Sequence, residues 1–372
     1  MTQYRALVRK VSISPEKKTK QKDYLPKGQL PIIDQGQQLI GGYTDNLDLQ
    51  LSCNLPVIVF GDHTRAVKYV DFPFGAGADG IKVLEPAEGI YPKFLYYATQ
   101  YLVLRLEDRG YARHYQYIEK KELDIPPVPE QKRIVARIEE LFSELDNGVE
   151  TLRKTKQQLA VYRQAVLKDA FARITDKKPI REMSSVVTSG SRGWAQYYSD
   201  HGAKFVRIGN LTRDRIRIDL SDIQYVDLPD GAEGKRTQLQ PNDVLVSITA
   251  DLGSIGLVPD DIGEAYVNQH IAMIRFNNPV QGEFMAWYLR SDYGQKDLLK
   301  NKRGGGKLGL GLDDIRDSRV PVVSDTEASK ILEAIENRLS VCDSIEKTVD
   351  TALQQAEAMR QSILKKAFEG KL

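Results

Sequence analysis

The sequence predicts a mixed α+β protein built from a duplicated unit: two globular α/β domains, each followed by a long helix. Three observations carry this. Two long segments keep a three-four apolar spacing, those segments match each other in sequence, and short apolar runs punctuated by Gly and Pro precede each one. At 372 residues the chain also exceeds what one hydrophobic core usually holds.

The first domain is expected over residues 1–125. Within it Asn54–Phe60 (NLPVIVF) reads as a buried strand and PKFLYYATQYL as an amphipathic helix. The segment 126–173 holds the first long helix, which follows IPPVPE and runs from about Gln131 to Arg173. Its apolar positions include Ile134, Ile138, Leu141, Leu145, Val149, Leu152, Leu159, Val166 and Ala170, and such steps over several heptads predict a coiled coil. The second domain occupies 174–320, with Asp243–Thr249 (DVLVSIT) as a strand and GEFMAWYLRS as a helix. In FVRIGNLTRDRIRI the alternation places Arg207, Arg213 and Arg215 on one strand face. The last segment, 321–372, contains the second long helix, from about Thr326 to Phe368, with Ile331, Ile335, Leu339, Cys342, Ile345, Val349, Leu353, Ala356, Met359 and Ile363 in step.

The copies align in detail. Gln157-Gln158 recurs as Gln354-Gln355, Arg163-Gln164 as Arg360-Gln361, and VLKDAF as ILKKAF. DRGYARHYQYIEKKELDIPPV before the first helix corresponds to KRGGGKLGLGLDDIRDSRVPVV before the second, with Arg109 opposite Arg303 and Arg113 opposite Lys307. The GGGK run imitates a phosphate-binding loop. Leu308, however, stands where that motif needs a hydroxyl, Gly309 and Gly311 disfavour the following helix, and the first copy lacks the glycines. The shared feature is a basic loop.

Composition narrows the class. Hydrophobic residues make up 41% and charged residues 28%, as in a foldable soluble protein, and 53 Lys+Arg against 51 Asp+Glu leave no bulk signature of nucleic-acid binding. Basic residues do cluster locally, at Lys17, Lys18, Lys20 and Lys22 and at Lys300, Lys302, Arg303 and Lys307. Cys53 and Cys342 are the only cysteines, MTQYRALVRK has no apolar targeting core, and no stretch reaches membrane-spanning length. A reducing cytoplasm is the expected compartment, with no membrane partner.

Catalytic motifs are imitated rather than present. FGAGADG (Phe74–Gly80) looks like a methyltransferase cofactor loop, but no Asn/Asp-Pro-Pro-aromatic segment follows, so a hairpin or loop is expected there. PDGAEGK (Pro229–Lys235) compresses a nuclease-like signature into one turn, where its carboxylates cannot converge on an ion. His63, His114, His201 and His270 lack metal-ligand spacing, so neither a catalytic nor a metal site is expected. The rival reading is a self-contained DNA methyltransferase or nuclease, and a third is a coiled-coil scaffold.

Taken together, the duplicated layout, the lead-in PPVPEQKRIVARIEELF and the AF-containing helix ends resemble the specificity (S) subunit of type I restriction–modification systems. GQQLIGGYTDN, IVFGDHTRAVKYVDFPFGAGADGIKVL and NDVLVSITADLGSIGLVPDDIGEAYVNQHIAMIRF are similar to target-recognition-domain sequence in that family. The resemblance implies a DNA reader without chemistry of its own. Two target-recognition domains would each read half of a bipartite site on double-stranded DNA. The two helices would pair antiparallel as a spacer and carry methyltransferase (M) subunits, two in number. No cofactor is implied for this chain, because S-adenosylmethionine belongs to the partner that methylates adenine, and a restriction (R) motor-nuclease subunit can join. The second helix lead-in, VPVVSDTEASK, departs from the first, which leaves the equivalence of the two M contacts open. A helix of about 43 residues would reach roughly 65 Å, a stiff spacer, and the repeat implies an approximate two-fold axis.

Candidate DNA contacts follow from side-chain chemistry. His63, Thr64, Arg65 and Lys68 combine donors for base edges and phosphates, as do Asn268, Gln269 and His270 in the second copy. Gln35, Gln37, Gln38 and Thr44 form another polar stretch, and Arg192, Arg207, Asn210 and Arg213 complete the second domain. Arg109, Arg113, Arg303 and Lys307 are the expected backbone contacts. The competing reading for each is a solvated loop or a structural hydrogen bond.

Overall fold

The computed structural model describes residues 1–78, 80–107, 110, 112–190, 192–213, 215–229, 235–300 and 309–372. Arg109, Arg303, Lys307 and most of the PDGAEGK turn lie outside the described residues. The chain divides into two compact units, one of Met1–Arg153 with Val349–Leu372 and one of Lys154–Thr348.

In the first unit a four-stranded antiparallel sheet runs in the order Val8–Val11, Ile81–Pro86, Val57–Gly61, Val67–Val70. Val57–Gly61 is buried along its whole length because the sheet is covered on both faces. Ile58 and Phe60 point into a core with Leu95, Ala98 and Leu102 of the helix Pro92–Leu104. Val57 and Val59 face the other way, toward Ile33 and Ala76 of a second sheet and Phe74 just ahead of it. This is the two-residue period of a strand with two apolar environments.

That second sheet has the order Lys18–Thr19, Gly75–Gly77, Leu30–Ile33, Gly42–Thr44. Within FGAGADG, expected as a hairpin or loop, Gly75–Gly77 form a buried strand parallel to both neighbours. Glycine is required for the close approach. A Cβ on Gly77 would lie 2.5 Å from Asp34 Cβ and 2.7 Å from the Tyr24 hydroxyl.

The second unit repeats the plan. Ser184–Ser189, Ile271–Phe276, Val244–Ser247 and Ile255–Leu257 form an antiparallel sheet in the same order. Val244 and Val246 face the core of the helix Gly282–Arg290, and Leu245 faces the opposite core. A second sheet again contains a parallel pair, Ala203–Val206 with Ala265–Val267. Each copy also has a short antiparallel pair before its long helix, Thr2–Gln3 with Glu122–Leu123 and Lys177–Pro179 with Arg319–Pro321.

The long helices are Val128–Phe171 and Asp325–Phe368, of 44 residues each. Pro126 and Pro127 precede the first, and the Pro127 carbonyl accepts from the amides of Glu130 and Gln131; Pro129 is accommodated in the first turn, where a missing N–H costs no helical bond. In the second unit Arg163 pairs with Asp343 and Glu346 at 2.6 and 2.9 Å, and Arg338 with Asp169 at 2.8 Å. Rising numbers on one helix meet falling numbers on the other, so they run antiparallel. In the first unit Val135, Ile138 and Phe142 share a cluster with Ile363, Leu364 and Ala367.

The repeated helix ends do equivalent work. Phe171 packs against Phe284 and Tyr288, with ring centroids 5.5 and 5.4 Å away. Phe368 packs against Phe94 and Tyr101 at 5.2 and 5.3 Å. The end of the second helix therefore completes the core of the first unit, where a division along the sequence would put it in a segment of its own. Gly370, at φ +68°, terminates that helix, and the Lys371 amide donates back to the Lys366 carbonyl.

Candidate functional site

The same four segments meet at one end of each globular part, and the backbone hydrogen bonds joining three of them correspond one for one. In the first unit the strand Val57–Gly61 ends at Asp62, whose amide donates to the Gly80 carbonyl at 2.6 Å, and the His114 amide donates to the Asp62 carbonyl at 2.8 Å. In the second unit Ile248 holds that place: its amide donates to the His270 carbonyl at 2.9 Å, and the Leu310 amide donates to the Ile248 carbonyl at 3.0 Å. The convergence joins a hairpin tip, the connector between the two sheets and the loop ahead of the long helix. The fourth segment is the end of the parallel strand. Lys68 Nζ donates to the Asp34 carbonyl at 2.8 Å in the first unit, and the Asn268 amide donates to the Val206 carbonyl at 3.1 Å in the second.

These ends gather most of the described candidates, which the sequence scatters. In the first unit Gln37 and Gln38 are exposed and Gln35 is half-buried, its Oε1 without a partner. Thr64 is exposed and its hydroxyl donates to the Gln35 carbonyl. Arg65 turns the hairpin at φ 61°, a left-handed conformation that a tight tip imposes. The Nδ1–H of His63 donates to the Ala112 carbonyl at 3.2 Å, tying tip to loop. Arg113, in that loop, is exposed. Gly80 has φ +75°, and a Cβ there would meet the Gln35 side chain at 2.6 Å.

Two candidates in this unit belong to the fold. Lys68 has a side chain 4% exposed and lies 3.4 Å from the Asp34 carboxylate, with burial holding its ammonium below the usual lysine range. Tyr24, beside the same carboxylate, is pushed up to about 12 by burial and by Asp34. Thr44 is buried and its hydroxyl accepts the Asn46 amide at 3.2 Å.

In the second unit Arg207, Asn268 and His270 line a recess of about 460 Å³ with Asn210, Asp219, Ser221 and Asp222. His270 is fixed at both ring nitrogens. The Gln269 amide donates to Nε2 at 2.9 Å, which leaves the proton on Nδ1 to be donated to the Thr249 hydroxyl at 2.8 Å. The expected strand face of arginines does not form. The strand stops at Val206, because Asn210 Oδ1 accepts the Arg207 amide at 2.8 Å and closes a turn over Ile208–Asn210. Asn210 is buried, with Nδ2 donating to the Asp219 and Asp222 carbonyls, so its side chain is committed to that turn. Arg213 forks onto Asp251, and the bonds from Arg213 and Ser254 hold that carboxyl below its usual range. Arg192 is exposed ahead of the turn Trp194–Tyr197.

Asp62 and Thr249 complete the convergence and were not singled out from the sequence. Setting NLPVIVFGDHT beside NDVLVSITAD, strand on strand, would have put both at hairpin tips. Among the described residues no three His, Cys, Asp or Glu side chains are placed to hold a metal ion, and no helix is long and apolar enough to cross a membrane.

Comparison with known proteins agrees with the duplication. The type I restriction modification DNA specificity domain matches residues 11–159 and again 196–355. The chain is 28% identical over 280 residues to the EcoBI specificity subunit of Escherichia coli, covering 67% of this chain and 58% of that one. It is 26% identical over 272 residues to the EcoKI specificity subunit of Escherichia coli (strain K12), covering 67% and 57%. The chain thus spans less than two thirds of the length of these relatives. In fold it is similar to a chain from a study of complex assembly and conformational transition of the type I R-M system, with a TM-score of 0.68, 14% identity and 92% of each chain covered. It is also similar to the HsdS subunit from Thermoanaerobacter tengcongensis, with a TM-score of 0.52, 14% identity and 100% and 96% covered. With both copies of the domain matched and the repeated sheets and helices to accompany them, the protein belongs to the type I restriction modification DNA specificity domain family.

Proposed function

We propose that this chain is the DNA-reading specificity subunit of a type I restriction–modification complex, acting in the cytoplasm. Each globular part contacts one half of a bipartite duplex site through its converging loops. The long helices carry two methyltransferase subunits, which bind S-adenosylmethionine and methylate adenine, and a restriction motor-nuclease subunit joins the same assembly. The chain itself supplies positioning and recognition, not bond chemistry.

The observation that carries this reading is the recurrence of one four-segment convergence in both copies, each rich in side-chain donors and acceptors. Gln37, Gln38, Thr64 and Gln269 have the groups that pair with base edges, and Arg113 and Arg207 suit phosphates. The helices fit the carrier role through long antiparallel faces that leave Val161, Tyr162 and Val341 exposed.

Exchanging residues 1–125 for the equivalent domain of a relative tests the division of labour. Methylome sequencing is expected to show one half of the methylated site changed and the other retained. Both halves changing together would contradict independent reading. Purified chain given labelled S-adenosylmethionine and duplex is expected to transfer no methyl group until methyltransferase subunits are added; turnover by the chain alone would favour the self-contained enzyme.

A further inference from the structure

We propose that Asp62 is a positioning residue for the first half-site: it holds the hairpin tip of His63–Arg65 and the loop bearing Arg113 in one fixed arrangement. The inference rests on the DNA-reading function above and concerns a residue that touches no base itself.

Asp62 is 3% exposed and bonds to two separate segments, one at Gly80 and Lys82 and one at His114 and Tyr115. Its amide and carbonyl make the two backbone bonds, to Gly80 and from His114. Its carboxylate makes two more contacts: Oδ1 accepts the Tyr115 amide at 2.9 Å, and Oδ2 lies 3.4 Å from Lys82 Nζ. The Tyr115 amide opens the helical turn Tyr115–Ile118, where an N–H has no partner within the turn, and a carboxylate satisfies it. Lys82 compensates the charge that burial would otherwise leave alone.

The second unit shows what is particular to the first. Ile248 makes the same two backbone bonds but carries no charge. It is 7% exposed and packs in one apolar cluster with Leu310, the residue that follows the corresponding loop. One copy therefore fastens the segment at His114 and Tyr115 with a carboxylate, and the other fastens Leu310 with apolar contact. Without the Asp62 carboxylate, the Tyr115 amide and Lys82 lose the contact it makes to them, while the backbone bond from His114 to Asp62 and the His63–Ala112 contact remain. The loop in turn braces the hairpin tip through His63, and groups that read bases, Thr64 on that tip among them, have to be held to within about 0.5 Å, so a loosened loop costs discrimination at the tip before it costs folding.

The test uses the full chain assembled with its methyltransferase subunits and duplexes carrying the site found by methylome sequencing, intact or mismatched in one half. For Asp62→Ala the preference for an intact first half-site should fall by about ten-fold, the scale of one mismatched base pair, with the second half-site unaffected. Asp62→Asn, which keeps an acceptor for the Tyr115 amide and is the variant to use if Ala does not fold, should lose less. Glu85→Gln is the control. It removes the charge paired with Arg9 at the far end of the strand Ile81–Pro86, and should lower the melting midpoint without changing half-site preference. First-half-site preference retained in folded Asp62 variants, or lost equally in Glu85→Gln, overturns the proposal alone. Wild-type complex with no preference for either half-site would overturn the DNA-reading function and this inference with it.

Discussion

Replacing Lys68 with Met asks whether this cation serves the fold or the DNA surface. Its side chain is 4% exposed, and Nζ reaches the Asp34 carbonyl at 2.8 Å and the Asp34 carboxylate at 3.4 Å. Met keeps most of the stem and removes the charge, so Asp34 loses its cation while the desolvation cost of the ammonium disappears. Breaking a fully buried pair costs about 3–5 kcal/mol. Here Asp34 is 21% exposed and keeps the Gly36 amide at 2.9 Å, which reduces the expected loss to about 2 kcal/mol. In a unit of this size that lowers the melting midpoint by roughly 4–8 °C. Because burial depresses the folded pKa, the native state binds the Lys68 proton less tightly than the unfolded chain does, so stability rises with pH between the depressed value and the usual 10.5, and that gain is lost as pH falls through the depressed one. The gap between wild type and Lys68→Met should therefore widen as pH rises toward 10.5. Thermal unfolding, together with duplex titrations at several salt concentrations, decides the matter. An unchanged midpoint with a salt slope shallower by about one unit would refute the burial argument and make Lys68 a phosphate contact.

Phe171→Ala and Phe368→Ala should each cost about 3–5 kcal/mol, and calorimetry should show the loss in a different unit for each, since each ring completes a different core. Arg113→Ala should weaken duplex binding equally for all sequences and make the salt slope shallower by about one, measured by titration against matched and unmatched duplexes. Thr249→Val removes the acceptor for His270 Nδ1–H and should reduce second-half-site preference by roughly two- to ten-fold in competition binding, leaving the first half-site alone.

The periodic and repetitive features were legible in the sequence. The long helices were expected from about Gln131 and Thr326 and begin at Val128 and Asp325, because a three-four apolar stripe and flanking prolines are local properties. The strands over NLPVIVF and DVLVSIT followed from short apolar runs bounded by polar residues, and the duplication from the matching helix ends. The family resemblance rested on the order of these pieces, which a linear reading preserves.

What the tertiary structure decided was which polar residues remain available and which segments meet. Lys68 and Arg113 look equally suited to DNA as amino acids, yet one is buried beside Asp34 and the other is exposed, a difference set by residues thirty or more positions away. The strand expected through FVRIGNLTRDRIRI ends at Val206 because the buried Asn210 side chain captures the Arg207 amide and is itself held by carbonyls further along. Gly75–Gly77 of FGAGADG form a strand because Gly77 can approach Asp34 and Tyr24, neighbours that no local pattern reveals. The convergence of hairpin tip, connector, strand end and loop in both copies depends on hydrogen bonds such as His114 to Asp62 and Leu310 to Ile248. Composition and periodicity report what each residue prefers; which distant backbone it meets is fixed only when the sheets pack, and that packing assembles the candidate site.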